Sequence, residues 1–369
     1  MAPGLSLYID LFRFLAVLSI VISHGLVTQM GGDWLKFSLG LEAIEATFVL
    51  SGFVIAYVVA TRERSLAVYS ASRLARLWSI VLPALALTFI LDGIGLRLSP
   101  APYEDWGEYM GFDNPLLRLF LTAIFQNQTW FLEVSPLSNI PLWSIGYIAW
   151  YYAIFAAFMF SPRAWRNWIV AAVALFAGPQ ILLLMPGWLF GVWLYQRRDK
   201  LKLSPGWGLA LYLGAPALIF ALKTLHVSPW LFSMQRLLLG ANVADRYLNI
   251  AENFLWQNLV GALICLHLLG AMAIAGRLGR LLRPAERAIR HAGALTFAIY
   301  AFHFPLELWI AAALHERPDG PVKTGAVVIG ALVASAALGA LVRPFYPRLK
   351  EALLLGFRKS GYRLAKALD

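Results

Sequence analysis

The feature that most constrains this chain is its succession of long apolar runs. A bilayer core about 30 Å thick is crossed by a helix of about 20 mostly apolar residues. Hydrophobic residues make up 60% of the 369 residues and charged residues only 14%, whereas soluble domains carry about 25% charged residues. So few charges cannot cover a water-facing surface. The sequence therefore predicts an all-α fold, a polytopic membrane helix bundle.

About ten transmembrane helices are predicted from these runs. In chain order they cover residues 6–28, 39–60, 77–97, 142–160, 167–183, 186–197, 207–224, 252–275, 293–314 and 321–342. The turn Met185-Pro186-Gly187 separates the fifth span from the short sixth one, which is expected to cross incompletely. Residues 115–132 are apolar but end in polar side chains, so this stretch is predicted to be re-entrant or interfacial.

The lysines and arginines predict the topology. If the N-terminus is cytoplasmic, 22 of these residues fall in segments on that side and 8 in segments on the other. Basic loops are retained in the cytoplasm, so both termini are predicted to be cytoplasmic. A transmembrane domain at 1–345 is then followed by a basic amphipathic tail at 346–369, for which anchoring to anionic lipid is the favoured role. Because the net charge of +11 is spread over such clusters, nucleic acid is not an expected partner.

The first span carries ionisable side chains that a bilayer would exclude. Arg13 and His24 are eleven residues apart, which is about three helical turns and roughly 16 Å along the axis, so both project from nearly one face. Asp10 lies one turn before Arg13 and can pair with it. Ionisable groups inside a span are costly and by default face a bundle interior or a water-filled cavity. A structural Asp10–Arg13 pair with a hydrogen-bonded His24 is the alternative.

Two further groups lie around the second span. Arg73 and Arg76, spaced i,i+3, share a helix face at the cytoplasmic boundary and suit a phosphate or pyrophosphate, which guanidinium groups bind bidentately. Plain topology signalling is the more favoured reading of this spacing alone. The pair Ser51-Gly52 favours close helix packing, since small residues are common at membrane helix interfaces.

The fourth and ninth spans supply the remaining candidates. Ser144 and Tyr147 lie in an aromatic run at 141–152, read either as an interfacial belt or as a strip lining a cavity. Tyr300, His303 and Glu307 share one helix face and form either a proton-handling group or a structural polar cluster. No metal-ligand spacing such as His-x-x-x-His is present, so no metal is expected. His267 has no evident partner, and the one cysteine cannot form an intrachain disulfide.

Taken together and in chain order, these segments resemble integral-membrane acyltransferase family 3. The matches are Arg13 and His24 with its Arg-x10-His, residues 48–53 with Phe-x-x-Ser-Gly-Phe, Arg73 and Arg76 with Arg-x-x-Arg, residues 141–152 with a Trp-Ser aromatic stretch, and residues 299–306 with Ile-Tyr-x-x-His-x-Pro-Leu. They span residues 5 to about 345. One departure is Ile148, which stands where family members commonly carry glutamate. The chain must either do without that carboxylate or use Glu45, Glu133 or Glu307 instead.

The resemblance implies an acyltransferase that moves an acyl group, mostly acetyl, from acyl-coenzyme A to a hydroxyl. The implied acceptor is a cell-envelope glycan or a lipid-linked molecule, and the implied location is the bacterial inner membrane, with membrane lipids as partners and a homodimer compatible with the sequence. Arg13, Arg73 and Arg76 would bind the donor's phosphates, with Asp10 holding Arg13.

The remaining implied roles concern the chemistry. His24 would be the general base, and Ser144 or Tyr147 would stabilise the oxyanion. Tyr300, His303 and Glu307 complete the substrate site. The alternatives are a transporter or flippase for a glycan or lipid, which buried charges would suit but the lack of a clear inverted repeat disfavours, and a catalytically weakened family member.

Overall fold

The computed structural model describes residues 1 to 368 apart from 33, 35–37, 105, 107–108, 241 and 244–246. Its α-helices, numbered in chain order, are α1 Pro3–Gly25, α2 Gly40–Thr61, α3 Leu66–Leu98, α4 Pro115–Ala123, α5 Trp143–Phe160, α6 Arg166–Ala177, α7 Pro179–Arg197, α8 Pro205–Thr224, α9 Val227–Leu239, α10 Phe254–Ala273, α11 Ala275–Leu282, α12 Glu286–Ala313, α13 Pro321–Val342 and α14 Phe345–Leu368. No strand is assigned within these described residues, and the predicted all-α fold is confirmed.

Eight segments of the described chain are long and apolar enough to cross a membrane, and the α6–α7 pair makes nine if it counts as one span. The polytopic bundle is therefore confirmed, whereas the count of ten is not. The difference arises at the fifth and sixth predicted spans. These form two helices bent by 119° relative to each other.

The break between these two helices lies at Gly178, so its predicted position at residues 185–187 is wrong. Gly178 has a φ of +92°, a left-handed value that favours glycine, and a Cβ atom there would lie 2.5 Å from the backbone of Trp130. The Trp130 amide donates to the carbonyl of Ala177 at 3.1 Å, which satisfies one carbonyl at the end of α6. Pro186, which was expected to mark the break, lies inside α7.

The stretch after residue 115 forms the nine-residue helix α4 and then turns back. The indole nitrogens of Trp78 in α3 and Trp150 in α5 donate to the carbonyls of Ala123 and Phe125, each at 2.9 Å. Both tryptophans lie in the middle parts of their helices, so this turn is inserted between α3 and α5. The re-entrant or interfacial character of this stretch stays a prediction. Asp113 lies just before α4. The hydrogen bond that its carboxylate accepts from Arg118 holds the pKa of this carboxyl group below its ordinary value.

Glycines allow α2 and α7 to pack at very short range. A Cβ atom on Gly52 would lie 2.0 Å from the carbonyl oxygen of Trp188, and one on Gly191 would lie 1.9 Å from that of Val49. The predicted packing role of the Ser51-Gly52 pair is confirmed. Ser51 also contacts Trp188, whose indole nitrogen lies 3.3 Å from the serine hydroxyl.

The aromatic run that opens α5 lies in the core of the bundle. Trp143, Tyr147 and Tyr151 are buried and meet edge to face, with ring centroids 5.1 and 6.4 Å apart along the series. The interpretation of these three residues as an interfacial belt is therefore wrong. Aromatic side chains prefer such edge-to-face contacts when they pack against one another, and here they fill the space between α5 and α2.

Helices α1, α3 and α12 enclose the region that holds most of the predicted site. The 33 residues of α3 rise about 50 Å, so this helix begins before the predicted start at residue 77, and Arg73 and Arg76 lie within it. Gly293 brings α12 close to α1, since a Cβ atom there would lie 2.8 Å from the Cβ of Asp10. The tail is helical, as α14, and packs against α3.

Candidate active site

A partly open cavity lies between α1, α2, α3, α5 and α12, and we call it the donor cavity. It is lined by Arg13, Val17, Thr47, Ser51, Val54, Ile55, Arg73, Arg76, Leu77, Ser144, Ile145, Ile148, Tyr152, Thr296, Phe297 and Tyr300. The three arginines predicted to act together thus share one cavity with Ser144 and Tyr300. Ile148, at the position where the resemblance expected glutamate, forms part of its apolar wall.

The three arginines differ in how their charge is compensated. Arg73 donates to Glu63 at 2.6 Å, and its guanidinium carbon lies 5.8 Å from the ring centroids of both Tyr69 and Tyr152. Arg13 and Arg76 have no carboxylate within 4.0 Å in the described part of the chain. Arg13 and Arg76 are therefore the arginines of the donor cavity without a direct carboxylate partner, whereas Arg73 is neutralised by Glu63, an acid that the sequence analysis missed.

The expected direct ion pair between Asp10 and Arg13 does not form, although the two charges interact at longer range. The Asp10 carboxylate accepts a hydrogen bond from Arg290 at 2.5 Å, and the same guanidinium nitrogen lies 2.8 Å from the Ser6 hydroxyl. The close approach of α12 at Gly293 brings Arg290 within reach of Asp10. Arg13 thereby has no carboxylate within 4.0 Å among the described residues, and it lines the cavity.

His24 on α1 and His303 on α12 form a hydrogen-bonded pair next to the backbone of Tyr300. His24 Nδ1 lies 2.9 Å from His303 Nε2, and His303 Nδ1 lies 2.7 Å from the carbonyl oxygen of Tyr300. Because a carbonyl can only accept, His303 carries its hydrogen on Nδ1 and accepts at Nε2. His24 must then donate from Nδ1. This arrangement leaves the Nε2 lone pair of His24 free to accept a proton.

Glu307 completes this group one turn after His303 on α12. His303 and Glu307 have no exposed surface, and neither carboxylate oxygen of Glu307 has a hydrogen-bond partner in the described structure. One ligand atom from each of His24, His303 and Glu307 lies within 4.8 Å of the other two, so this set could hold a divalent metal ion. Such an ion would have to replace the His24–His303 hydrogen bond, since both would use the same His303 lone pair.

Tyr300 connects the donor cavity to the histidine pair. Its hydroxyl donates to the Pro141 carbonyl at 2.5 Å and lies 2.7 Å from the Ser144 hydroxyl, whereas its backbone carbonyl holds His303. Since the tyrosine hydrogen is used by Pro141, Ser144 is the donor in the second contact. His24 and His303 are not among the residues that line the donor cavity. The Ser144–Tyr300 pair thus separates the arginines from the predicted base.

Tyr147 does not join this group. It is fully buried against Trp143 and Tyr151, it does not line the donor cavity, and its hydroxyl makes no hydrogen bond to any described residue. Of the two residues predicted as alternative oxyanion donors, the structure therefore brings Ser144 to the cavity, whereas Tyr147 points toward the aromatic core.

Residues 138–141, which bind the Tyr300 hydroxyl through Pro141, are themselves held by polar residues that the sequence analysis missed. Asp92, inside α3, accepts from the Ser138 amide at 3.1 Å and from its hydroxyl at 2.6 Å. Asn139 donates to Thr88 at 3.1 Å and to the Ala301 carbonyl at 3.0 Å. The sequence did contain a signal for Asp92, because a carboxylate within a membrane span is costly unless it is hydrogen-bonded. Together these bonds hold Pro141 against α12.

His267 also gains partners that its sequence context did not indicate. Its Nε2 atom contacts the Tyr8 hydroxyl, and its Nδ1 atom lies 2.7 Å from the Tyr212 carbonyl. These contacts join α1, α8 and α10. His267 therefore stabilises the packing of these three helices, and it does not line the donor cavity.

The fold and site define a class: a multi-pass membrane protein with an arginine-lined cavity enclosed by its helices. The family model of acyltransferase family 3, described as an acyltransferase domain, matches residues 6–340. The chain therefore belongs to this acyltransferase family, as the resemblance of its motifs indicated. No curated protein and no solved structure matches the chain.

Proposed function

We propose that this acyltransferase moves an acyl group, most simply acetyl, from acyl-coenzyme A to a hydroxyl of a cell-envelope glycan or a lipid-linked acceptor. The observation that carries the proposal is the arrangement around Tyr300. Its side chain lines the same cavity as Arg13 and Arg76, and its backbone carbonyl binds His303, whose other ring nitrogen binds His24.

The donor cavity has the chemistry that an acyl-coenzyme A requires. Arg13 and Arg76 offer guanidinium groups that have no direct carboxylate partner among the described residues and can bind phosphate oxygens. Beyond them the walls are mainly apolar, formed by Val17, Val54, Ile55, Leu77, Ile145 and Ile148. An extended pantetheine arm can pass along such a wall while the phosphates stay at the arginines. The thioester then reaches Ser144 and Tyr300.

The transfer step uses the free lone pair of His24. His24 Nε2 takes the proton of the acceptor hydroxyl while that oxygen attacks the thioester carbonyl carbon. The tetrahedral oxyanion collapses, the carbon–sulfur bond breaks, and the departing thiolate takes the proton back from the His24 imidazolium. The products are an ester and coenzyme A as its thiol, so no other reactant is needed.

His303 and Glu307 act on His24 rather than on the substrate. The hydrogen bond from His24 Nδ1 to His303 keeps the tautomer in which Nε2 is a base. An oxygen of Glu307, within 4.8 Å of a ring nitrogen of each histidine, offers a hydrogen-bond acceptor for the imidazolium that forms during transfer. This arrangement replaces the carboxylate that Ile148 does not provide.

The partition formed by Ser144 and Tyr300 must open for the thioester to reach His24. Ser144 has the hydroxyl hydrogen that can turn toward the oxyanion, because the Tyr300 hydrogen is held by Pro141. The excess of basic residues on one side supports cytoplasmic termini, so the donor enters from the cytoplasm. The acceptor then approaches His24 from the opposite side, as in a bacterial inner-membrane enzyme that modifies envelope glycans.

The test uses the purified protein in detergent with labelled acetyl-coenzyme A and a hydroxylated glycan acceptor. We expect label transfer without any ion gradient, and its loss by about 10²–10⁴-fold in His24→Ala. His291→Ala, an exposed histidine at the start of α12, is the matched control and retains activity. Wild-type rates in His24→Ala would overturn the assignment of the base. Gradient-dependent movement of an uncleaved glycan would point to a transporter instead.

A further inference from the structure

A groove lies between α3, α5 and the turn that follows α4, and we call it the lateral groove. Its lining comes from residues within 69–77 of α3, 124–126 of the turn and 149–156 of α5. The groove is partly open, and Ile124 in its lining is 40% exposed. Because α3 and α5 are both long and apolar enough to cross a membrane, an opening between them faces the hydrocarbon of the bilayer.

Three polar side chains of the lateral groove already have partners inside the protein. The Tyr69 hydroxyl donates to the carbonyl of Tyr152 at 3.1 Å, and Arg73 is neutralised by its ion pair. The indole nitrogen of Trp150 donates to the carbonyl of Phe125 at 2.9 Å. A polar ligand would lose its hydration without gaining these groups as partners. The groove therefore suits a hydrocarbon chain.

Three alanines make room for such a chain. Ala149, Ala153 and Ala156 are spaced i,i+4,i+7, so they lie on one face of α5 and leave space in front of it. Along α3 the lining runs from Tyr69 to Leu77, which corresponds to about 12 Å. The hydrocarbon of one leaflet is about 15 Å thick. The groove therefore matches a single acyl chain that lies along one leaflet.

Basic residues flank the end of the groove at which α3 begins and α5 ends. The rings of Tyr69 and Phe160, one from each helix, have centroids 5.6 Å apart, so these helix ends are neighbours. The adjoining segments carry four arginines that make no ion pair within 4.0 Å among the described residues. They are Arg62, Arg64, Arg163 and Arg166. This is the side of the bundle that is predicted to be cytoplasmic.

Two exposed tryptophans mark the membrane surface beside these arginines. Trp165 is 64% exposed and Trp168 is 74% exposed, and tryptophan side chains gather at the level of the lipid headgroups. Arg163 lies two residues before Trp165, and Arg166 directly follows it. The arginines are therefore expected at the height of the phosphate groups, where the headgroup of a lipid in the groove would lie.

We propose that the lateral groove binds one acyl chain of an anionic glycerophospholipid of the cytoplasmic leaflet, with the phosphate group at the four flanking arginines. Basic clusters beside transmembrane helices on the cytoplasmic side attract anionic headgroups. Charge complementarity selects an anionic lipid, because these arginines have no direct acidic partner among the described residues.

The bound chain packs against a wall of the donor cavity. Arg73, Leu77 and Tyr152 line both the lateral groove and the donor cavity, and the Arg73 guanidinium carbon lies 5.8 Å from the Tyr152 ring centroid. The lipid thus fills the space on the far side of these side chains. The inference concerns a lipid site, and it holds whether or not the protein transfers acyl groups.

The binding test uses the full chain in detergent with phosphatidylglycerol or phosphatidylcholine, and native mass spectrometry counts the lipids that the protein retains. The wild type should prefer phosphatidylglycerol by about fivefold or more, since each arginine near an anionic headgroup contributes about that factor. Equal retention of the two lipids would overturn the proposal.

Ala153→Phe tests the groove itself. The added ring occupies the space in front of α5 and should reduce retained phosphatidylglycerol by about tenfold, because excluding two methylene groups from an apolar site has about that effect. Ala157→Phe is the matched control, since this half-buried alanine on the same helix does not line the groove. Wild-type retention in Ala153→Phe would contradict the proposal.

A double variant, Arg64→Gln with Arg163→Gln, tests the headgroup contact. Its preference for phosphatidylglycerol should fall by about fivefold or more. The charge-matched control is Arg197→Gln with Lys200→Gln, two exposed basic residues on the same predicted side at the end of α7, and it should keep the preference. All four residues are exposed, so this comparison decides the question even if Ala153→Phe fails to fold. Equal preferences in the two double variants would refute the headgroup site.

Photocrosslinking locates the chain directly. Phosphatidylglycerol with a diazirine in one acyl chain should label peptides that contain residues 124–126 and 149–156, and an excess of palmitoyl-coenzyme A should not remove this label. Label confined to other helices would overturn the proposal. Label at the groove that palmitoyl-coenzyme A displaces would also overturn it, because the groove would then hold the acyl chain of a donor rather than that of a membrane lipid.

Discussion

His24 Nδ1 and His303 Nε2 lie 2.9 Å apart although 279 residues separate them in the chain. The two rings are nearly parallel, with an angle of 9° between their planes. The carbonyl of Tyr300 determines which nitrogen of His303 carries hydrogen, and His303 in turn determines the tautomer of His24. One backbone carbonyl on α12 therefore sets the proton-accepting atom at the end of α1.

Removing His303 should impair the base without affecting the donor cavity. We expect His303→Ala to lower kcat for acetyl transfer by about 100-fold, because His24 loses the partner that fixes its tautomer, and to leave KM for acetyl-coenzyme A within about twofold. The pH dependence of kcat should also shift, which a loss of packing alone would not cause. An unchanged pH profile at a reduced rate would assign His303 a structural role only.

Chelation tests the other chemistry that this cluster permits. If the His24–His303 hydrogen bond is the functional state, dialysis against EDTA should leave the transfer rate unchanged, and added Zn²⁺ should inhibit by capturing the imidazole lone pairs and Glu307. The measurement is the transfer rate together with the metal content of the purified protein. Activity that falls on chelation and returns with Zn²⁺ would instead make His24, His303 and Glu307 metal ligands.

The two arginines of the Arg-x-x-Arg pair should respond differently to alanine. Arg73→Ala leaves Glu63 buried without a partner and should destabilise the protein by about 3–5 kcal/mol. Arg76 is exposed and unpaired, so Arg76→Ala should alter stability by less than about 0.5 kcal/mol and weaken acyl-coenzyme A by about tenfold. Thermal unfolding and calorimetry measure the two effects.

A double variant checks the cause of the Arg73 effect. Adding Glu63→Gln to Arg73→Ala removes the uncompensated charge and should restore part of the lost stability. If the double variant is no more stable than Arg73→Ala, the Glu63–Arg73 pair does not account for the loss. If Arg76→Ala binds the donor as tightly as the wild type, Arg76 is a topology signal only.

The contact between α2 and α7 predicts a position-specific effect of alanine. Gly191→Ala would place a Cβ atom 1.9 Å from the Val49 carbonyl oxygen, so the helices must separate and the protein should lose about 1–3 kcal/mol. Gly214→Ala in α8 is the control, since a Cβ atom there has nothing within 4 Å and should be neutral or stabilising. Equal unfolding temperatures for the two variants would show that the close packing is not required.

Much of the bundle could be predicted because each span is a local property of the chain. An apolar run of sufficient length forms a helix in lipid wherever its neighbours lie, since every backbone polar group is then satisfied within the helix. The same local logic placed Tyr300, His303 and Glu307 on one face of α12 and identified Gly52 as a packing residue. It failed at Gly178, where the break depends on a contact with Trp130 from another segment.

The sequence alone determined that this is an all-α membrane protein, that Arg13 and His24 share one side of α1, and that its ordered motifs are those of an acyltransferase family. Only the tertiary structure decided that Asp10 pairs with Arg290, that Arg73 is neutralised by Glu63, and that His303 is the partner of His24. The reason is physical. Helical periodicity dictates which residues of one helix point the same way, whereas the pairing of side chains on different helices depends on how those helices pack.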